Sequence, residues 1–409
     1  MRPVPRDAAE LKRRVQETID EHRSTLVGLA EALHADPELA FDEHRASDRC
    51  AELLEKAGFE LERPLAGLAT AFRAAAGHGE LTVALCAELD ALPGVGHACG
   101  HNLIAASALG AALGLAAVAE DTACRVVVLG TPAEEGGGGK VLLLERGAFA
   151  GAHLALMVHP WPEDRLTARC LAVDHLQVTY TGREAHAAAA PWQGVNAGDA
   201  MVVAQVAIGL LRQHFEPGAL VHGVVDSGGQ APNVVPQSAT GRWMLRAPTL
   251  EALQALRPRI ERCFEAGALA TGCQLEIRPL APTYSHMEPD QDLLRLWRAN
   301  AEALGRRYPA DDAGQEPPAL STDMANVSLT LPAIHPLIGI DAGGACNHQP
   351  AFAAACVGPS AERALVDGAL ALAWTVVDAA TDPGLRARLL AGQRQPLLPG
   401  APPPPSSKA

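Results

Sequence analysis

Four short segments of this sequence concentrate side chains that bind metals or move protons. They are Glu88-Leu-Asp90-Ala-Leu-Pro-Gly-Val-Gly-His97-Ala-Cys99-Gly-His101-Asn102, then Gly130-Thr-Pro-Ala-Glu134-Glu135 with four following glycines, then His159-Pro160, and finally Gly343-Gly-Ala-Cys346-Asn347-His348. Thiolate, imidazole and carboxylate together form a borderline-soft donor set that suits zinc first, with manganese, cobalt or nickel also accommodated. Cys99 and His101 would diverge on a helix but can converge on a loop entering one, and Gly100 between them permits the tight path. Alone, a Cys-Gly-His describes a buried thiol beside a capping histidine equally well; three more ligand-bearing loops favour a metal centre. The adjacent pair Glu134 and Glu135 suggests a division of labour. One carboxylate can ligate while its neighbour takes a proton from an activated water and returns it to a leaving nitrogen. A solvated acidic turn is the commoner fate of such pairs, but this one follows an apolar strand and precedes a glycine run. That run, ending in Lys140, is not a phosphate loop. Glu134 stands where the first motif glycine belongs, and Val141 follows the lysine in place of Ser or Thr.

These loops need a scaffold, and the flanking pattern supplies one. Helices are expected over Ala8–Ala35, Glu43–Lys56, His101–Ala119 and Val141–Arg146, and buried strands over Leu81–Ala87, Arg125–Leu129 and Leu154–Val158. Strands alternating with helices predict an α/β, mostly parallel, doubly wound catalytic domain, with function collected beyond the carboxyl ends of the strands. After Leu171 the texture changes. Strands over Asp174–Thr181, Leu220–Val225, Ala239–Arg246 and Gln274–Leu280, with helices over Asn196–His214 and Leu250–Thr271, predict an inserted α+β domain of four strands and two helices. The expected organisation is residues 1–172 and 289–392 as catalytic domain, 173–288 as an inserted domain, and 393–409 as a disordered Pro-rich tail.

Bulk properties narrow the partners. A chain of 409 residues with 48% hydrophobic content and 4% aromatics implies a large core built from Ala, Leu and Val. The formal charge of −14 argues against nucleic-acid or anionic-membrane partners. Nine cysteines, an odd number scattered through apolar segments, suit a reducing compartment, and Met1–Glu21 lacks the apolar run of a signal peptide, so a cytoplasmic location is expected. The apolar stretch Ile104–Val118 is short for a membrane span and is expected to be a core helix.

The motifs resemble the aminoacylase and carboxypeptidase G family of dinuclear metallopeptidases, in the amidohydrolase branch of hippurate hydrolase, indole-acetyl-amino-acid hydrolases and p-aminobenzoyl-glutamate hydrolase. The resembling segments, in family order, are His34-Ala-Asp-Pro-Glu-Leu-Ala-Phe-Asp-Glu43, Glu88-Leu-Asp-Ala-Leu-Pro93, His97-Ala-Cys-Gly-His-Asn102, Gly130-Thr-Pro-Ala-Glu-Glu-Gly136 and Gly182-Arg-Glu-Ala-His-Ala187. They continue with Pro232-Asn-Val-Val-Pro236, Ser321-Thr-Asp-Met-Ala-Asn-Val-Ser328 and Asn347-His348. The Cys-Gly-His-Asn form looks most like p-aminobenzoyl-glutamate hydrolase and the dipeptidases acting on β-alanyl-lysine-type substrates.

The resemblance implies two divalent ions per subunit, with Cys99 bridging or flanking them and His101, Glu135, His159 and His348 completing the ligand set. It implies that Glu134 is the general base and acid, that Asp90 orients the metal site, and that Glu88 occupies the position beside it. The resemblance also implies a lid and dimerisation role for the inserted domain, 173–288. His186, on that domain, is implied to reach the active site of the partner subunit in a homodimer and to stabilise the oxyanion there. Asn233, with Arg246 as a weaker candidate, is implied to lie near the carboxylate of a small amide substrate. Two positions depart from the pattern: Gln349 follows the last metal-type histidine where many relatives carry Thr, and Glu88 stands where relatives often carry Asp. His34 and Glu43 begin a helix–loop and are expected to be structural. Three rival readings stand beside hydrolysis: Cys99 as a thiol nucleophile, acyl transfer at the same metal site, and a non-catalytic binding protein on this fold.

Overall fold

The computed structural model describes residues 7–308 and 319–392, so the expected tail, 393–409, lies outside the described residues. The chain divides into two compact units, Met1–Arg169 with Met287–Ala409, and Cys170–His286.

In the first unit a six-stranded sheet runs in the order Glu60–Glu62, Phe72–Ala76, Cys124–Thr131, Leu81–Glu88, Leu154–Leu156, Ala333–Ile334. The last four are mutually parallel, and the first two pair antiparallel along one edge. The antiparallel edge was not among the expected strands. Phe72–Ala76 is mostly alanine and arginine, and Glu60–Glu62 has three residues, so neither carries the β-branched signal that marks a strand. Strand alternation divides the core. Leu81, Val83, Leu85 and Ala87 face a layer that includes Leu26, Leu109 and Leu365, while Ala84 and Cys86 join Leu143, Met324 and Val327 on the other face. Helices cover both faces, as a parallel sheet requires.

Helix His101–Ala116 is buried from His101 through Leu115 and is apolar all round. Its glycines let neighbouring helices close in. A Cβ on Gly110 would lie 2.9 Å from Ala369 Cβ, and one on Gly114 would lie 2.9 Å from Val15. Among the described residues, helix Pro359–Thr381 is long and apolar enough to cross a membrane by length and composition, but 78% of its apolar window is buried inside the fold, which makes it a core helix.

The second unit has a four-stranded antiparallel sheet in the order Gln274–Pro279, Ala172–Thr181, Ser238–Ala247, Leu220–Ser227. Helices Ala197–Leu211 and Leu250–Thr271 pack on one face against Leu176, Val178, Tyr180, Trp243 and Leu245. The helix expected to reach His214 ends at Leu211, and Arg212–His214 tightens into a 3-10 turn.

Candidate metal centre

Three ligand-bearing loops leave the carboxyl ends of three adjacent parallel strands. Glu88 and Thr131 are the last residues of paired strands and lie opposite each other, and His159 follows strand Leu154–Leu156 closely. The first loop is turned by Gly100, which adopts φ +79° and caps helix His101–Ala116. A Cβ there would also fall 2.8 Å from Pro160 Cγ, so the Cys-Gly-His spacing needs glycine for its conformation and for space. His348 itself has φ +70°, and its backbone N–H donates to Ala98 O at 2.9 Å, tying the fourth loop to the first.

The sulfur of Cys99 lies in two sets of candidate ligands, one with His101 and His159 and one with Glu135 and His348, each with its ligand atoms within 4.8 Å of one another. Cys99 Sγ is 3.4 Å from His348 Nε2, and His348 Nε2 is 3.6 Å from Glu135 Oε2. Asn347 Nδ2 sits 3.8 Å from the same sulfur. The imidazole atoms are already sorted. His101 Nδ1 meets Asp90 O at 2.7 Å and His159 Nδ1 meets Pro160 O at 2.7 Å, which leaves each Nε2 free to ligate, the usual arrangement for metal histidines.

Asp90 organises the loop opposite. Its carboxylate accepts from the backbone N–H groups of Glu134 at 3.1 Å and Glu135 at 2.9 Å. Glu43 acts from the other side, accepting from Ala133 N at 2.8 Å and from Thr70 Oγ1 at 2.8 Å. Glu43 is expected from the sequence to be structural; its place behind the Glu134 loop has no local signal. His34, also expected to be structural, meets Ala353 O through Nε2 at 2.8 Å.

The donor set fits a cation. Glu88 Oε2, His101 Nε2 and Glu135 Oε1 are buried without hydrogen-bond partners, a costly state that a bound ion relieves. Burial pushes the Cys99 thiol well above its ordinary value, and Glu135 adds to the push; a cation at the sulfur reverses that balance. Burial, with Glu88 and Glu135 as neighbours, also raises Glu134 well above the carboxylate range. His159 is held neutral, at about 3, by burial and by His335. Burial opposes a charge on His101, but Glu88 and Asp90 outweigh it and raise that group well above its ordinary value.

The remaining candidates belong to the second unit. His186 is exposed, and its Nδ1 accepts from Ala188 N at 3.2 Å and Ala189 N at 3.1 Å. Its backbone bridges Val234, and Ala187 N donates to Asn233 O at 2.9 Å, so the His186 and Asn233 segments lie side by side. Arg246 stands apart from them at the far end of strand Ser238–Ala247, where its cross-strand partners are Val173 and Leu220. Missed by sequence reasoning are Lys140 and Asp323, which meet Glu88 beneath the site.

The sequence profile described as peptidase family M20/M25/M40 matches residues 84–372. A mouse protein named Xaa-Arg dipeptidase is 42% identical over 94% of this chain and 93% of its own length. An Escherichia coli protein, one of the subunits of p-aminobenzoyl-glutamate hydrolase, is 31% identical over 66% of this chain and 60% of its own length. A Bacillus subtilis structure described as a dinuclear metal-binding peptidase of this family superposes with a TM-score of 0.67 at 23% identity, covering 88% of this chain and 99% of that one. The profile match and the mouse alignment agree with the ligand cluster at the strand ends: this chain is a member of peptidase family M20/M25/M40, a metal-dependent hydrolase of amide bonds.

Proposed function

We propose that this chain is a two-ion dipeptidase that cleaves short peptides ending in a basic residue and carrying a free carboxylate. The observation that carries the two-ion reading is the sulfur of Cys99, common to two of the three candidate ligand sets among the described residues. Cys99, His101 and His159 would hold one ion, and Cys99, Glu135 and His348 the other, with zinc the first choice for this donor set. The substrate reading rests on the mouse relative, named Xaa-Arg dipeptidase. A formal charge of −14 also favours a cationic peptide over a second anion.

Bound ions would polarise the scissile carbonyl and bring the pKa of water from ~16 toward ~7. The chain's own groups do the rest. Glu134 accepts the proton of the attacking water and delivers it to the departing nitrogen. Asp90 acts as a positioning residue, keeping the backbone of Glu134 and Glu135 in register and orienting His101. His186 of the partner subunit would donate to the oxyanion as the carbonyl becomes tetrahedral. Asn233 is assigned to the substrate carboxylate, with Arg246 second. The homodimer this needs is supported by the open edge strand Leu220–Ser227 and by Val202, Val206 and Leu210, exposed at helical spacing on one face. A reducing, cytoplasmic setting belongs to the same reading, supported by nine free cysteines of which eight are buried.

The test is metal analysis followed by hydrolysis of a panel: dipeptides ending in Arg or Lys, β-alanyl dipeptides, p-aminobenzoyl-glutamate, hippurate and N-acetyl amino acids. Turnover of the Arg-ending and Lys-ending dipeptides above the others, abolished by chelator and restored by Zn²⁺, is the expected result. Activity that survives chelation would revive the thiol-nucleophile reading. Turnover of p-aminobenzoyl-glutamate alone would replace the substrate.

A further inference from the structure

Two features of the sequence have no part in the proposed reaction: Lys140, at the end of the glycine run, and Asp323, within Ser321-Thr-Asp-Met. They meet Glu88 in a fully buried cluster. Lys140 Nζ lies 2.5 Å from Glu88 Oε1 and 2.6 Å from Asp323 Oδ1, and all three side chains have no exposure. The backbone N–H of Lys140 donates to Asp323 Oδ2 at 2.8 Å, so Asp323 grips the lysine at both ends. Gly139 makes the approach possible, since a Cβ there would run into the carbonyl oxygen of Pro132.

The clamp leaves one oxygen of Glu88 unused. Oε2 faces His101 Nε2 at 3.3 Å, and no hydrogen bond joins them: both atoms are buried without a partner. His101 commits its Nδ1 hydrogen to Asp90 O, so Nε2 is the edge left for an ion, and an ion that replaces its proton meets a lone pair there. With that proton displaced, the two buried lone pairs need a cation against them, and donor atoms sharing an ion with bonds of about 2.1 Å stand at about this distance apart. The cluster of one ammonium and two carboxylates also carries a surplus negative charge that burial makes expensive without a cation nearby.

We propose that Lys140, backed by Asp323, is a positioning residue for the metal centre: it fixes Glu88 so that Oε2 is presented, as a charged donor, to the ion that His101 binds. This rests on the two-ion reading above and gives Glu88 a role in it.

The experiment measures Zn²⁺ stoichiometry and affinity by chelator competition, with thermal melting of the ion-free chain alongside, for wild type, Lys140→Met, Glu88→Gln and the double variant. One ion should stay tight while the other weakens by about 10- to 100-fold in each single variant. The double variant should be no worse than Glu88→Gln, because Lys140 acts through Glu88. If Lys140→Met does not fold, Lys140→Met/Asp323→Asn keeps the cluster's net charge while removing the clamp, and Glu88→Asp keeps the charge while withdrawing the oxygen; both should lose the same ion. Lowered melting with both ions held at wild-type affinity would reduce Lys140 to a scaffold residue and overturn the proposal, as would losses that multiply in the double variant. A wild type that binds fewer than two ions would instead sink the two-ion reading.

Discussion

At the scale of single residues, the proposed reaction assigns one glutamate of an adjacent pair to the ion and the other to the proton. Glu134 and Glu135 share the same backbone anchor in Asp90; Glu135 belongs to a ligand set containing the Cys99 sulfur, and Glu134 to one with Glu88 and His101, where the proposed reaction uses it as the base. Glu134→Gln should therefore keep its metal content while kcat falls by about 10²–10⁴-fold, read by steady-state kinetics beside metal analysis; loss of an ion in this variant would make Glu134 a ligand instead. The buried histidines predict a pH response. Burial depresses His97 and His159 to about 3 and His335 to about 4, below the ordinary imidazole value near 6.5 that each regains on unfolding. The unfolded chain thus binds more protons between those limits. Their contribution to stability is present above pH ~6.5 and is lost as pH falls from there toward 4, by about 1.4 kcal/mol per pH unit per group. Burial raises Glu43, Glu134 and Asp323, which contribute with the opposite sign, so the check is a comparison: urea midpoints between pH 7 and 4 should fall more steeply for wild type than for His97→Gln or His335→Gln, and parallel profiles would contradict the neutral, buried assignment. Residue types in short motifs made the candidate ligands and the Glu pair legible. Glu43, Lys140 and Asp323 act from positions distant in sequence, through contacts that only folding creates.

At the scale of elements, the centre depends on how closely backbone can approach backbone. Gly100 turns the chain from Cys99 into helix His101–Ala116 with φ +79°, against Pro160. Gly100→Ala forces a side chain into left-handed backbone and into the ring of Pro160, each at a cost of order 1–3 kcal/mol. Because both neighbours are candidate ligands, the variant should lose zinc affinity as well as thermal stability. A lower melting temperature with zinc affinity intact would show that the loop tolerates the shift. The elements themselves were partly legible. Ala8–Ala35 and Leu250–Thr271 fall at their expected ends, since each combines apolar spacing with a side-chain N-cap, Asp7 and Thr249. Phe72–Ala76 was hidden because its strand character comes from pairing along Cys124–Thr131, not from its own residues.

At the scale of the molecule, the proposed homodimer makes a claim that neither residue nor element can test. His186 sits on the second unit with its Nδ1 occupied by Ala188 N and Ala189 N, leaving Nε2 as the donor edge, while Glu134 sits on the first. If His186 serves the partner's site, His186→Ala and Glu134→Gln each disable both sites of a homodimer by different routes. Mixing them through unfolding and refolding creates heterodimers in which the His186→Ala chain keeps its own Glu134 and receives His186 from its partner. Random pairing of equal amounts makes half of the dimers mixed, each with one complete site, so activity should return to about a quarter of the wild-type value. A mixture as inactive as its components would place His186 in its own chain's site or outside the reaction. Breaking the exposed stripe with Val206→Glu and Leu210→Glu gives the independent check. Sedimentation should show monomers, and turnover should fall while each chain keeps its zinc, because the proposed ligand set lies wholly within the first unit.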